Sequence, residues 1–86
     1  MIQRISEPVS VVSTFNSATK KVYPTNIVWR QRIYKITKIG LHHTYRQGRT
    51  LYHVFSVASQ NLFFRLVLNS ETLFWRLEEI SDGLSN

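Results

Sequence analysis

From Leu62 to Leu68, and again from Leu73 to Leu77, large apolar residues recur at every second position, which is the spacing of strands with one buried face. Leu62, Phe64, Leu66 and Leu68 share a side with Arg65 opposite, and Leu73, Trp75 and Leu77 continue the pattern with Arg76 opposite. Between the two runs lies Asn69-Ser70-Glu71-Thr72, a turn by composition. An even-length turn there pairs Leu68 with Leu73, Leu66 with Trp75 and Phe64 with Leu77. Two strands alone do not hold in water, so the rest of the chain has to extend this ribbon into a sheet.

It carries the residues to do so. Residues 8–15 are rich in β-branched side chains and start on Pro8, where a missing N–H is tolerated. A polar connection over 16–20 leads to a second strand over 21–29, bent at Pro24. Arg30-Gln31 reads as a two-residue turn into a third strand over 32–39 that stops at Gly40. That register places Ile27, Trp29, Tyr34 and Ile36 on one side, and Asn26, Val28, Ile33, Lys35 and Thr37 on the other. Residues 41–49 are expected to be irregular, with a short helical turn or a crossing of the sheet end. Strands over 50–58, 62–68 and 73–79 complete an all-β antiparallel meander of five to six strands, curled into a small barrel or half-open roll to avoid raw edges. The 86 residues allow one small β domain over 8–80, between a flexible N-terminal arm (1–7) and a polar C-terminal tail (81–86).

Most chemistry is excluded by what is missing. Without cysteine there is no disulfide and no thiolate metal site. Gly40, Gly48 and Gly83 stand alone, so there is no glycine-rich phosphate cradle. No serine sits in a strand–turn–helix elbow, and four of the five acids lie near the C-terminus. His42 and His43 are adjacent, so on an extended segment they point to opposite sides and chelate poorly. The expectation is a non-enzymatic protein with no catalytic residue, no metal and no cofactor. No apolar run reaches the roughly 18–20 residues of a membrane span, and the first residues lack a signal-peptide core, so the expected location is cytoplasmic, away from membranes.

Charge is more telling. Residues 1–70 hold ten Lys or Arg against Glu7, while residues 71–86 hold Glu71, Glu78, Glu79 and Asp82 against Arg76, so +9 and −3 make up the net +6. Such asymmetry points to a polyanion. Basic and aromatic residues interleave around Trp29–Lys35 and Tyr45–Arg49, as in modules that grip phosphates and stack bases. The candidate nucleic-acid-binding residues are Arg30, Arg32, Lys35, Lys38, Tyr45, Arg46 and Arg49, and the expected partner is single-stranded DNA or RNA. Trp29 and Tyr34 fall in the core by the register above, leaving Tyr45 and Tyr23 to stack. The alternative is a protein-interaction or homodimer module using a second apolar face. Its interface residues are Val67 opposite Phe74, with Phe63.

The succession Glu7-Pro8-Val9, Pro24, Ile27-Val28-Trp29-Arg30-Gln31-Arg32-Ile33-Tyr34-Lys35-Ile36, Phe64-Arg65-Leu66 and Trp75-Arg76-Leu77 resembles a small bacterial family of uncharacterised proteins. In that family an acid-proline-apolar start leads to a W-x-G-R-x-Y-x-V hairpin, and a tryptophan-x-leucine strand closes the domain. The resemblance covers residues 6–80 and implies one small β domain without implying an activity. Gln31 stands where the family usually has glycine.

Overall fold

A computed structural model describes residues 1–82. Seven strands follow one another: β1 (Ile2–Asn16), β2 (Lys21–Trp29), β3 (Arg32–Lys35), β4 (Lys38–Gln47), β5 (Thr50–Ser59), β6 (Leu62–Asn69) and β7 (Trp75–Ser81). They form one antiparallel sheet in the order β3-β2-β1-β7-β6-β5-β4. β3 and β4 are therefore consecutive in the chain yet lie at opposite edges. Ile36 and Thr37 join them: the Ile36 N–H donates to the Thr25 carbonyl at 2.9 Å, and the Thr37 N–H donates to the Ala58 carbonyl at 2.8 Å. One bent ribbon, residues 32–47, thus borders both sides of the sheet and ties its edges together at that corner. The result is a curled half-barrel.

Turn chemistry sets the registers. Arg30 and Gln31 both take left-handed backbone, with φ of 52° and 66°, as a two-residue hairpin of matching twist requires. Trp29 pairs with Arg32 and Ile27 with Tyr34, the pairing expected from sequence. Two longer loops share one recipe. In Asn16-Ser17-Ala18-Thr19-Lys20 and Asn69-Ser70-Glu71-Thr72-Leu73, the asparagine Oδ1 accepts from the backbone N–H groups two and three residues on. The fifth residue, Lys20 or Leu73, is left-handed and donates its N–H to the asparagine carbonyl. This extra residue moves the last hairpin two places from its expected register. Leu68 pairs with Trp75 and Leu66 with Leu77, while Leu73 is exposed in the loop.

Bulges supply the curl, because an extra residue bends a strand and sharpens its twist. Thr25, Gly40 and Glu78 are unpaired insertions in β2, β4 and β7. Each lets two residues three apart lie on the inner side: Pro24 with Ile27, Ile39 with His42, Leu77 with Ile80. The inner core is Ile27, Phe55, Val57, Phe64, Leu66 and Leu77, flanked by Ile5, Val9, Trp29, Tyr34, Ile36, Leu62, Trp75 and Ile80. Tyr34 meets Phe64 at 5.1 Å and Phe55 meets Trp75 at 5.6 Å between ring centroids.

Further expectations change: the third strand, expected over 32–39, ends at Lys35, and Lys38 and Ile39 open β4. The segment taken for a loose arm is strand: Ile2, Gln3 and Arg4 pair with Ser81, Ile80 and Glu79. Residues 41–47, expected to be irregular, belong to β4 and pair with β5 through Gln47↔Thr50. Of the expected polar tail, Ser81 ends β7, and 83–86 lie outside the described residues. Among the described residues no helix is long and apolar enough to cross a membrane.

Candidate functional site

The hairpin at Arg30-Gln31 is bound to β1. Glu7 accepts a hydrogen bond from Trp29 Nε1 through Oε1, and one from Arg30 Nη2 through Oε2, both at 2.9 Å. The Arg30 guanidinium also lies 4.4 Å from the Trp29 ring centroid. These contacts hold the Glu7 carboxyl below its ordinary range, the Trp29 bond first and the Arg30 bond second. Arg30 is thereby engaged within the fold, and Trp29 is a packing residue. The hairpin is a folding element before it is a surface.

The other acids are engaged in the same way. Glu78 and Glu79 lie 3.4 and 3.9 Å from Arg65, Asp82 meets the N-terminal ammonium at 2.7 Å, and Glu71 accepts from Thr50 Oγ1. The first of the Arg65 contacts is an ion pair without hydrogen-bond geometry, since Nε has no hydrogen-bond partner. Arg76 donates to the carbonyl and hydroxyl oxygens of Ser6. By contrast Arg32, Lys35, Lys38, Arg46 and Arg49 are all exposed, and none has a carboxylate partner among the described residues. All five belong to the edge ribbon 32–47 or the turn that follows it.

The ribbon does not place them side by side. Arg32 shares the inner side with Trp29 and Tyr34, whereas Lys35 faces outward. Lys38 opens β4 just past the corner. Arg46 lies eight residues further on, roughly 26 Å along a strand, opposite Leu51, and Arg49 is in the β4–β5 turn. The cations form two groups, one at the corner and one at the hairpin tip.

Tyr45 lies on the outer side of that tip, with its ring 5.0 Å from and nearly parallel to its cross-strand partner Tyr52. Burial, then the Glu78 carboxylate, raises its phenol above the ordinary range. A groove of about 400 Å³ beside it is also lined by Phe74, Asn69, Arg76 and Glu78. The expected apolar patch is not there. Val67 is 5 % exposed and pairs with Val54 and Arg76, not with Phe74. Phe74 is 75 % exposed at the end of β6, where its carbonyl accepts from the Asn69 N–H, and Phe63 sits near the other end of that strand, opposite Ala58 and Ser81. Val67 lines the same groove as Tyr45 and Arg76, and Arg76 is its cross-strand partner.

One constellation escaped the sequence reading. His42 and His43 do face opposite ways, but on β4 the first of them meets His53 of β5, with Nε2 and Nδ1 2.9 Å apart. The reading of 41–49 as irregular concealed this diagonal pair. A partner two residues from the position opposite His42 is the signal that could have revealed it. Among the described residues no group of three or more metal-ligating side chains occurs.

Comparisons with protein-family models, with curated proteins and with solved structures find no match to this chain.

Proposed function

We propose that this chain is a non-enzymatic binding module that engages a polyanion, single-stranded nucleic acid in the first instance, through the basic edge ribbon. The observation that supports this reading is the partition of charge. Each described acid is engaged by a partner away from the ribbon's cations, while Arg32, Lys35, Lys38, Arg46 and Arg49 extend unpaired into solvent. Lysine and arginine on an edge also discourage edge-to-edge aggregation. That role needs only one or two charges, and it does not call for an acid-free run from Pro8 to Ser70. Tyr45, exposed on one side of its stack, adds a surface on which a base can lie.

Two charge-reversed variants separate the groups: Lys35→Glu with Lys38→Glu at the corner, and Arg46→Glu with Arg49→Glu at the tip. Each should weaken binding to a single-stranded homopolymer and lower its salt sensitivity. Unchanged binding in both variants would remove the ribbon from the interface.

Self-association is the second reading, and it rests on a different patch from the one expected. Ile2, Leu41 and Phe63 are exposed, and Ile2 and Phe63 help line a groove of about 360 Å³ near the corner, with Lys38 and Arg65. Phe63→Glu should convert a dimer to a monomer in sedimentation, and a wild-type monomer at high concentration would rule this reading out.

A further inference from the structure

The half-barrel is open between β2 and β4. β3 covers only Asn26–Trp29 of β2, so the edge over 21–24 is free of strand partners on that side. β4 pairs only with β5. The two free edges diverge from the Ile36–Thr37 corner and form the sides of a mouth. On the β4 side stands His42, its ring parallel to the core ring of Phe55 with centroids 4.2 Å apart. The His42 and His53 rings are tilted only 18° with centroids 5.2 Å apart. Together with the 2.9 Å nitrogen separation, this describes two imidazoles joined end to end by an N–H···N bond.

Such a pair has a definite proton capacity. Neutral, it holds one N–H between the rings, donated by one imidazole to the other. One added proton leaves that bond intact with a cationic donor. A second would set N–H against N–H and break it. The charged and titratable groups around the pair are Lys21 from β2, His43 on β4 and, four residues along the same face of β4, Arg46. From β5 come His53 itself and the uncharged Phe55. β6 and β7 present Leu68, opposite His53, and Trp75, against Phe55. No carboxylate is among these groups, and burial first, then His53, Lys21 and His43, hold His42 below the ordinary imidazole range.

We propose that the His42–His53 pair is a phosphate subsite of the polyanion interface, and that it takes up one proton when the anion binds. The inference rests on the polyanion reading for its ligand and adds where one phosphate sits and what regulates it. An anion at the mouth offsets the repulsion from Lys21, so the protonated pair becomes favourable when occupied. By linkage, whatever favours proton uptake on binding makes binding tighter as pH falls.

The test follows the imidazole ring resonances of His42 and His53 through a pH titration, alone, with sulfate, and with an oligothymidylate. Sulfate keeps its charge throughout the range used. Binding of the oligonucleotide is measured in parallel between pH 8 and 6. The inference predicts that both ligands move the pair's titration to higher pH, and that affinity rises by up to about tenfold per pH unit. His42→Gln and His53→Gln should flatten that dependence while leaving the salt dependence in place. Salt-sensitive binding with no pH dependence and unmoved rings would overturn the subsite and leave the polyanion reading standing. Rings that respond to sulfate without any oligonucleotide binding would keep an anion subsite and remove the polymer. Unmoved rings together with no oligonucleotide binding would remove both.

Discussion

Arg30 and Gln31 carry side chains through a turn that asks two residues to adopt left-handed backbone, at roughly 1–2 kcal/mol per non-glycine residue. The Arg30 side chain recovers part of this through Glu7 and Trp29; Gln31 has no such contact. Gln31→Gly should therefore stabilise the fold by about 1 kcal/mol, read as a higher denaturation midpoint with unchanged slope. At Val67 and Phe74 two residues that look alike in sequence part company. Val67→Asp places a charge on a 5 % exposed position and should cost about 3 kcal/mol. Phe74→Asp, at 75 % exposure, should change stability by no more than about 0.5 kcal/mol. Equal losses in a chemical denaturation series would contradict the placement. Alternation alone could not tell these residues apart, because both lay on the nominal outer side. Their difference comes from the asparagine-centred loop, which moves the register by two and carries Phe74 off the end of the sheet.

At the level of elements, most strands and the inner side of three hairpin arms were legible. Ile27, Trp29, Tyr34 and Ile36 share a side with Leu62, Phe64 and Leu66 because nothing interrupts their alternation. The bulges were not legible. At Pro24/Ile27, Ile39/His42 and Leu77/Ile80 the inward spacing is three, and a period-two reading fails at each. The longest failure is β4, whose ten residues are all exposed and so lack the apolar alternation that marks a half-buried strand. With β4 read as loop, the His42–His53 contact had no place to form. Glu7 and His42 both have lowered proton affinity in the fold, so the sign is the same for both: the unfolded chain binds the proton more readily. Their contributions are present above the unfolded values, near 6.5 for His42 and 4.5 for Glu7, and are lost as pH falls through the lower folded ones. Thermal stability should decline first just below pH 6.5 and again below 4.5. His42→Gln should flatten the upper step and Glu7→Gln the lower.

At the scale of the whole molecule, the charge asymmetry becomes a spatial one. The acids lie on β1, β7, the loop before β7 and the end of the chain that follows it, where they meet Arg30, Arg65, Thr50 and the N-terminal ammonium. The ribbon bordering both edges of the sheet stays cationic. Residue order suggested one set of binding residues, Arg30, Arg32, Lys35, Lys38, Tyr45, Arg46 and Arg49; the fold engages Arg30 with Glu7 and divides the remaining cations between the corner and the hairpin tip. A flexible single strand can follow both groups around a half-barrel measuring 35 × 29 × 24 Å. Affinity of the wild-type protein for a single-stranded homopolymer, measured against salt at fixed pH, tests this most directly. Engagement of three to five ribbon cations predicts a log–log slope of about −2 to −3.5, made shallower by roughly 1.4 in the Lys35→Glu, Lys38→Glu variant through loss of two phosphate contacts. A slope near zero, or no binding at low salt, would contradict the account.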